Sequence, residues 1–340
     1  MSHLKLLVPG FALWAGSLIG APAPAPDFFL CANINRNYVV GSKIETISGV
    51  YHQTDAGWKH IGYNDTSITA VAFDPGDRNV IYTSAQSGLW VSRDGGRSWR
   101  LCNNYEMTET RDVAVDPNAP DHVYLALPDG VAVSTDAAKT LVRRENGLPE
   151  RGKYMQALEV DRTRAGRVLA GCEVGIFLTE DGAKRWRRVF TTTDTVNDVQ
   201  QSPHDPKVWF AVTQSAGALL SDDGGVSWKA LPGVPKDRAL YNGTFDVTSP
   251  ERLAIGSWGH GVLVSEDRGK TWQQRNEGLP APHRVWRVGI DPAGRLYASV
   301  VGETLFVSDD FGRTWRPDTL VGSLVNNFVL VPPTAPQPRE

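Results

Sequence analysis

The chain has 340 residues, a formal net charge of −3, 33 glycines, 22 prolines and three cysteines. Near-balanced charge without long single-sign blocks excludes a global field for nucleic acid. An odd cysteine count, with no CxxC pair and no histidine at ligand spacing, excludes a disulfide framework and a zinc site. The length allows one large all-β unit, and the glycine and proline content suits many short strands joined by turns.

Residues 1–26 start with Lys5 ahead of Leu6-Leu7-Val8, continue through an apolar stretch over 11–20, and leave through Ala21-Pro22-Ala23-Pro24-Ala25-Pro26. This order predicts a secretory leader or a disordered tail, and with a leader a secreted or periplasmic protein. The apolar run is too short and interrupted to span a membrane, so an integral membrane protein is not expected. A long insert from Asn33 to Ser48 carries Asn35, Arg36, Asn37, Tyr38 and Lys43 and is a candidate contact loop.

Beyond it the chain repeats one plan. In the clearest copy, residues 68–73, 80–84, 88–92 and 98–102 are short runs of β-branched or aromatic residues bounded by turn residues, which predicts four antiparallel strands. Between the third and fourth strands stands the phrase Ser-x-Asp-x-Gly-x-Ser/Thr-Trp. It is complete at Asp94, Asp223, Asp267 and Asp310, worn at Asp136 and Asp181, and shortened at Asp55. Successive aspartates are 39, 42, 45, 42, 44 and 43 residues apart. A step of 40–45 residues is the period of propeller blades, whose sheets bury their faces by stacking around an axis. Each turn aspartate accepts backbone N–H groups, the glycine supplies the turn geometry, and the tryptophan supplies apolar surface. These aspartates are therefore read as structural rather than catalytic.

Residues 324–332 fit the first-strand template, while the N-terminal segment holds only second, third and fourth strands. Joining the two ends closes a seven-bladed, all-β propeller of four-stranded antiparallel blades over 27–333, with a composite blade from both termini and a short tail at 334–340.

The recurring phrase closely resembles the Asp-box (BNR) repeat over about residues 27–332. Families with this repeat include sialidases, xyloglucan-active hydrolases, sortilin-type receptors and the photosystem II assembly factors. The resemblance implies the fold; fold alone does not choose an activity. The Arg-Ile-Pro hallmark of sialidases is missing, which argues against that activity. Xyloglucan-active relatives typically pair two propellers, and this chain has room for one.

Ligands favour the loop-built mouth, where the first strands start. Polarity concentrates there: Thr69, Arg111, Asp112, Gln156, Asn197, Asp198, Tyr241, Asn242, Trp286, Arg287, Asn326 and Asn327 fall in one register. Asp112 and Asp198 are the candidate acid/base pair that glycoside hydrolysis would need. Arg111, Arg284 and Arg287 can bind a carboxylate or phosphate. Tyr154, Tyr241, Trp258 and Trp286 can stack on sugars or pack. Asn197, Asn242 and His260, the last in a glycine-rich loop, complete the candidate ligand set. No phosphate loop, metal motif or nucleophile elbow is present, so no cofactor or metal is expected. The leading expectation is a binding or assembly module for a protein partner or carbohydrate; the alternative is a carbohydrate-active hydrolase or lyase.

Overall fold

Short runs of β-branched and aromatic residues, cut by turns, form 28 strands in seven four-stranded antiparallel sheets. They are seen in a computed structural model that describes residues 25–34, 47–103 and 105–333. The leader-like segment before residue 25, most of the 33–48 insert and the 334–340 tail lie outside the described residues. The sheets stand as the blades of a β-propeller, and no helix occurs among the described residues.

Blade 1 is composite, in the order β28 (Ser323–Val331), β1 (Asp27–Ile34), β2 (Gly49–Thr54) and β3 (Gly57–Ile61). The closing pair runs antiparallel from Asp27 opposite Val331 to Ile34 opposite Ser323, with one irregularity at Cys31/Ala32. In blades 2 to 7 the strands follow chain order outward. The innermost are β4 (Ala70–Phe73), β8 (Asp112–Val115), β12 (Met155–Val160), β16 (Val196–Gln201), β20 (Leu240–Phe245) and β24 (Val285–Ile290). The outermost are β7 (Arg100–Leu101), β11 (Val142–Arg143), β15 (Arg187–Thr191), β19 (Lys229–Ala230), β23 (Gln273–Gln274) and β27 (Arg316–Pro317). The innermost strands touch one another in a ring around the axis.

The hydrophobic core is divided by seam. Seven clusters of buried side chains each join two neighbouring blades, such as Tyr124 and Val131 of blade 3 with Met155 and Phe177 of blade 4. Since one sheet cannot hide both its faces, each blade depends on two neighbours for burial.

The Asp-box turn shows why most fourth strands are only two residues long, shorter than the sequence suggests. Ser98 is taken by the turn: its N–H donates to Asp94 Oδ1 at 2.9 Å and its hydroxyl to Asp94 Oδ2 at 2.6 Å. Ser92 Oγ donates to the same carboxylate at 2.9 Å and accepts Gly96 N–H at 2.8 Å. The indole of Trp99 then closes back on Gly96 O at 3.0 Å. Gly225, in the equivalent place, has φ +79° and a Cβ there would lie 2.4 Å from Leu169 Cδ2. The worn copies keep the left-handed conformation with alanine, at Ala138 and Ala183. The first copy is contracted to a tight hairpin in which Thr54 Oγ1 donates to Gly57 O at 2.7 Å.

These donors hold the turn carboxyls well below the ordinary carboxylate range. The Ser98 hydroxyl leads at Asp94, the Thr140 amide at Asp136 and the Thr271 hydroxyl at Asp267, each lowered to about 2. At Asp223 and Asp310 burial opposes, yet the same kinds of donors prevail, again at about 2; Asp181 is lowered too. A lowered folded-state value means the stabilisation is present above the ordinary value of 3.8 and lost as the pH falls toward 2. Thermal melts are therefore expected to drop steeply between about pH 4 and pH 2. Asp223→Ala should lower Tm at pH 7 by a few degrees and flatten that acid limb, with ligand binding on folded protein unchanged. A variant with wild-type Tm and abolished binding would contradict the structural role.

Candidate functional site

The turns at Asp94 and Asp223 lie beside the first-to-second-strand turns: Gly95 N–H donates to Asn79 O at 3.0 Å and Gly224 N–H to Lys207 O at 2.8 Å. They occupy one end of the ring. At the other end, where the innermost strands begin, is the polar register singled out above.

The hub is built by hydrogen bonds between innermost strands. No β-ladder crosses a seam, so the hub-facing backbone groups need side-chain or water partners. Every seam has a side-chain one. From blade 1 to 2, Asn326 Nδ2 donates to Ile68 O at 2.9 Å. From 2 to 3, Thr69 Oγ1 donates to Thr110 O at 3.0 Å. From 3 to 4, Leu158 N–H donates to Asp112 Oδ2 at 2.9 Å. From 4 to 5, Gln201 N–H donates to Glu159 Oε1 at 3.3 Å. From 5 to 6, Asn197 Nδ2 donates to Leu240 O at 2.9 Å and Gly243 N–H to Asp198 Oδ2 at 3.1 Å. From 6 to 7, Asn242 makes both bonds of a missing strand residue, to Val288 O and from Val288 N–H, each 2.8 Å. From 7 back to 1, Arg287 Nε donates to Asn326 O at 3.0 Å.

Arg111, Asp112, Asn197, Asp198, Asn242, Trp286 and Arg287, together with Thr69, Gln156, Gln200, Asn326 and Asn327, line an axial cavity of about 250 Å³. Asp112 and Asp198 share it, and both hold backbone N–H groups of the next blade. Their own following amides, Val113 and Val199, donate to the second oxygens at 2.8 and 2.9 Å. The channel reaches them, but protein surrounds them, and burial disfavours their charge. Burial raises Asp112 to about 7 against the pull of the Leu158 and Val113 amides. Burial also raises Asp198, with Arg287 opposing. Glu159, which the sequence reading missed, is raised by burial to about 8. Its signal was available: two residues before the strand-ending Asp or its equivalent, five other innermost strands carry Ala72, Ala114, Gln200, Thr244 and Gly289, with Val329 in the seventh, so a glutamate stands out in a row of mostly small or polar residues. Burial, together with the nearby Arg111 charge, lowers Arg287 to about 10 against the attraction of Asp198.

Around this cavity the rim is aromatic and cationic. Tyr241 lies 4.4 Å from Trp286 and 5.9 Å from Trp258, ring centre to ring centre. Three guanidinium groups rest on aromatic rings: Arg111 over Tyr154 at 5.5 Å, Arg284 over Trp258 at 5.3 Å and Arg287 over Trp286 at 4.5 Å. None of the three makes a carboxylate ion pair among the described residues. His260 stands apart, with Nε2 2.8 Å from Asp237 Oδ1 and Nδ1 3.1 Å from Gln274 Nε2. No cluster of His, Cys, Asp and Glu among the described residues could hold a metal ion. Cys31, Cys102 and Cys172 are free thiols.

The BNR-Asp box repeat family model matches residues 305–318, the copy around Asp310. With seven such turns or their remnants around a seven-bladed ring, the class is settled. The chain is an Asp-box β-propeller. An oligoxyloglucan-reducing end-specific xyloglucanase of Emericella nidulans is 26% identical over 73% of this chain. The match spans 40% of that enzyme's length. The solved GH74 enzyme of Niastella koreensis superposes with a TM-score of 0.65 at 16% identity, covering 78% of this chain and 50% of the enzyme. YCF48 bound to D1 peptide superposes with a TM-score of 0.56 at 17% identity, covering 74% of this chain and 82% of that one. Among the described residues no helix is long and apolar enough to cross a membrane.

The hub carboxyls titrate opposite to the turn carboxyls. Their folded-state values are raised, so their stabilising effect is complete below the ordinary value near 4 and disappears as the pH rises through about 7 and 8. The propeller should lose Tm between about pH 5 and pH 8. Asp112→Asn, which keeps an acceptor for one of the two amides but cannot ionise, should lose less. Equal slopes for wild type and Asp112→Asn would contradict the buried, proton-holding carboxyl.

Proposed function

We propose that this propeller is a recognition module that binds an acidic polypeptide segment at its mouth. One observation carries the reading. The hub carboxyls are engaged by backbone amides and Arg287 by backbone carbonyls, whereas Arg111 and Arg284 lie on aromatic rings with no carboxylate partner among the described residues. Stacking fixes each guanidinium while leaving N–H groups at its edge for an anion. The unpaired charge of the mouth is thus positive, which suits an acidic ligand better than a neutral polysaccharide. The peptide-bound solved structure is covered over most of its length by this single ring, whereas two-fifths of the xyloglucanase is matched. Export is part of the proposal, supported by the leader-like pattern of residues 1–26. Recovery of the protein solely from the cytoplasm, with residue 1 intact, would reject that part.

Binding of labelled acidic peptides should weaken as salt rises. Arg284→Ala and Arg111→Ala should each weaken it by roughly three- to thirtyfold. Affinity unaffected by both substitutions would sink the reading.

The carbohydrate-active alternative is favoured by a different observation. A carboxyl at about 7 is partly protonated at neutral pH, as a general acid must be, and Asp112 borders the cavity together with Asp198. Release of products from oligoxyloglucans by wild type, lost in both Asp112→Asn and Asp198→Asn, would establish it in place of pure binding. No release by wild type rejects it.

A further inference from the structure

Outer strands are where a propeller leaves backbone groups unpaired, and this one keeps most of them short. Five of the seven blades end in a two-residue outer strand. Blade 4 does not: β15 runs five residues and is terminal in its sheet, with no strand beyond it. The other five-residue outer strand, β3, has one exposed residue, Lys59. In β15 Arg187, Arg188 and Thr191 are exposed, while Val189 and Phe190 pack on the core between blades 4 and 5. The register shifts here: Phe190 stands opposite Ile176 and Arg188 opposite Phe177. Val189 has no opposite number, and two successive arginines stay outside.

Charge concentrates at the same edge. The run Lys184-Arg185-Trp186-Arg187-Arg188 holds four cations, all exposed. Glu180 is the acid that answers them. It is already shared with Arg164 at 3.0 Å and Arg167 at 3.5 Å, and it meets Arg187 at 3.6 Å. Asp181 is held in its turn by the Arg185 amide and the Thr179 hydroxyl. Lys184 and Arg185 make no ion pair among the described residues, and Arg188 lies over the Phe177 ring at 5.0 Å.

We infer that β15 is a second docking edge, which adds an extended polypeptide segment with acidic side chains at alternate positions as a fifth strand of blade 4. An open edge supplies main-chain hydrogen bonds, and side chains at every second position supply selectivity. Cations on an edge normally keep sheets from pairing with copies of themselves. Here the same cations repel a second β15 and attract an acidic strand, so one set of charges excludes self-association and selects the partner. The site is on the outer rim of blade 4 and shares no residue with the mouth.

The test uses the full chain, the peptide Ac-Glu-Val-Glu-Val-Glu-Val-NH2, its glutamine counterpart and a version N-methylated at alternate residues, read by fluorescence anisotropy and amide hydrogen exchange. The acidic peptide should bind and slow exchange over residues 187–191, and Arg284→Ala at the mouth should leave that protection unchanged. Glutamine replacement, N-methylation and the pair Arg187→Glu/Arg188→Glu should each weaken binding at this edge at least tenfold. The milder pair Arg187→Gln/Arg188→Gln guards against misfolding and should give a smaller loss at wild-type Tm. Absence of binding, no protection over residues 187–191, or protection there that is indifferent to N-methylation would overturn the inference. So would a short single-stranded oligonucleotide that binds this edge more tightly than the peptide.

Discussion

The propeller depends on a hydrogen bond that the β-sheet cannot make for itself. Each blade satisfies its own ladder, but the hub-facing edge of every innermost strand points across a seam where no ladder continues. An unpaired buried amide or carbonyl there would cost as much as a lost hydrogen bond. The chain answers with at least one polar side chain per seam aimed at the next blade's backbone, most completely at Asn242, which stands in for a whole strand residue opposite Val288. Gly243 beside it is needed for close approach, because a Cβ there would meet Phe210 Cε1 at 2.0 Å. The hydrophobic clusters join neighbouring blades along each seam, and the hub bonds tie the backbones of their innermost strands together.

The two ends of the ring use the same residue type for opposite electrostatics. At the Asp-box end, aspartates sit near solvent among hydroxyl and amide donors, so their charge is favoured. At the hub, Asp112 and Asp198 border the axial cavity and Glu159 is buried at the seam between blades 4 and 5; burial disfavours their charge, and Arg287 offsets only part of the penalty at the two aspartates. At the mouth the guanidinium groups of Arg111 and Arg284 rest on aromatic rings. The proposed recognition role therefore rests on the placement of charge rather than on the presence of carboxylates.

Much of the fold was legible in the chain. The spacing of Asp55, Asp94, Asp136, Asp181, Asp223, Asp267 and Asp310 gives the blade count, and the unmatched first strand at 324–332 gives the composite closure, because local turn chemistry repeats at fixed intervals. The hub was legible as a row of polar residues but not as a set of bonds. Asp112 and Asn242 find partners 46 residues on, on another blade's backbone, which carries no side-chain signature. Glu159 escaped notice since it lies mid-strand, where apolar residues flank it. The length of β15 escaped as well: its turn lacks the glycine and the hydroxyl of the full phrase, and strand structure extends to Thr191.

The central claim is that side chains of one blade hold the backbone of the next. Amide hydrogen exchange tests it directly at Leu158, Gly243 and Val288. In the native ring these amides should exchange as slowly as ladder amides, and Asn242→Leu should accelerate Val288 at least about tenfold while Leu158 stays protected. Exchange of all three at the rate of the mouth loops in wild-type protein would contradict the account.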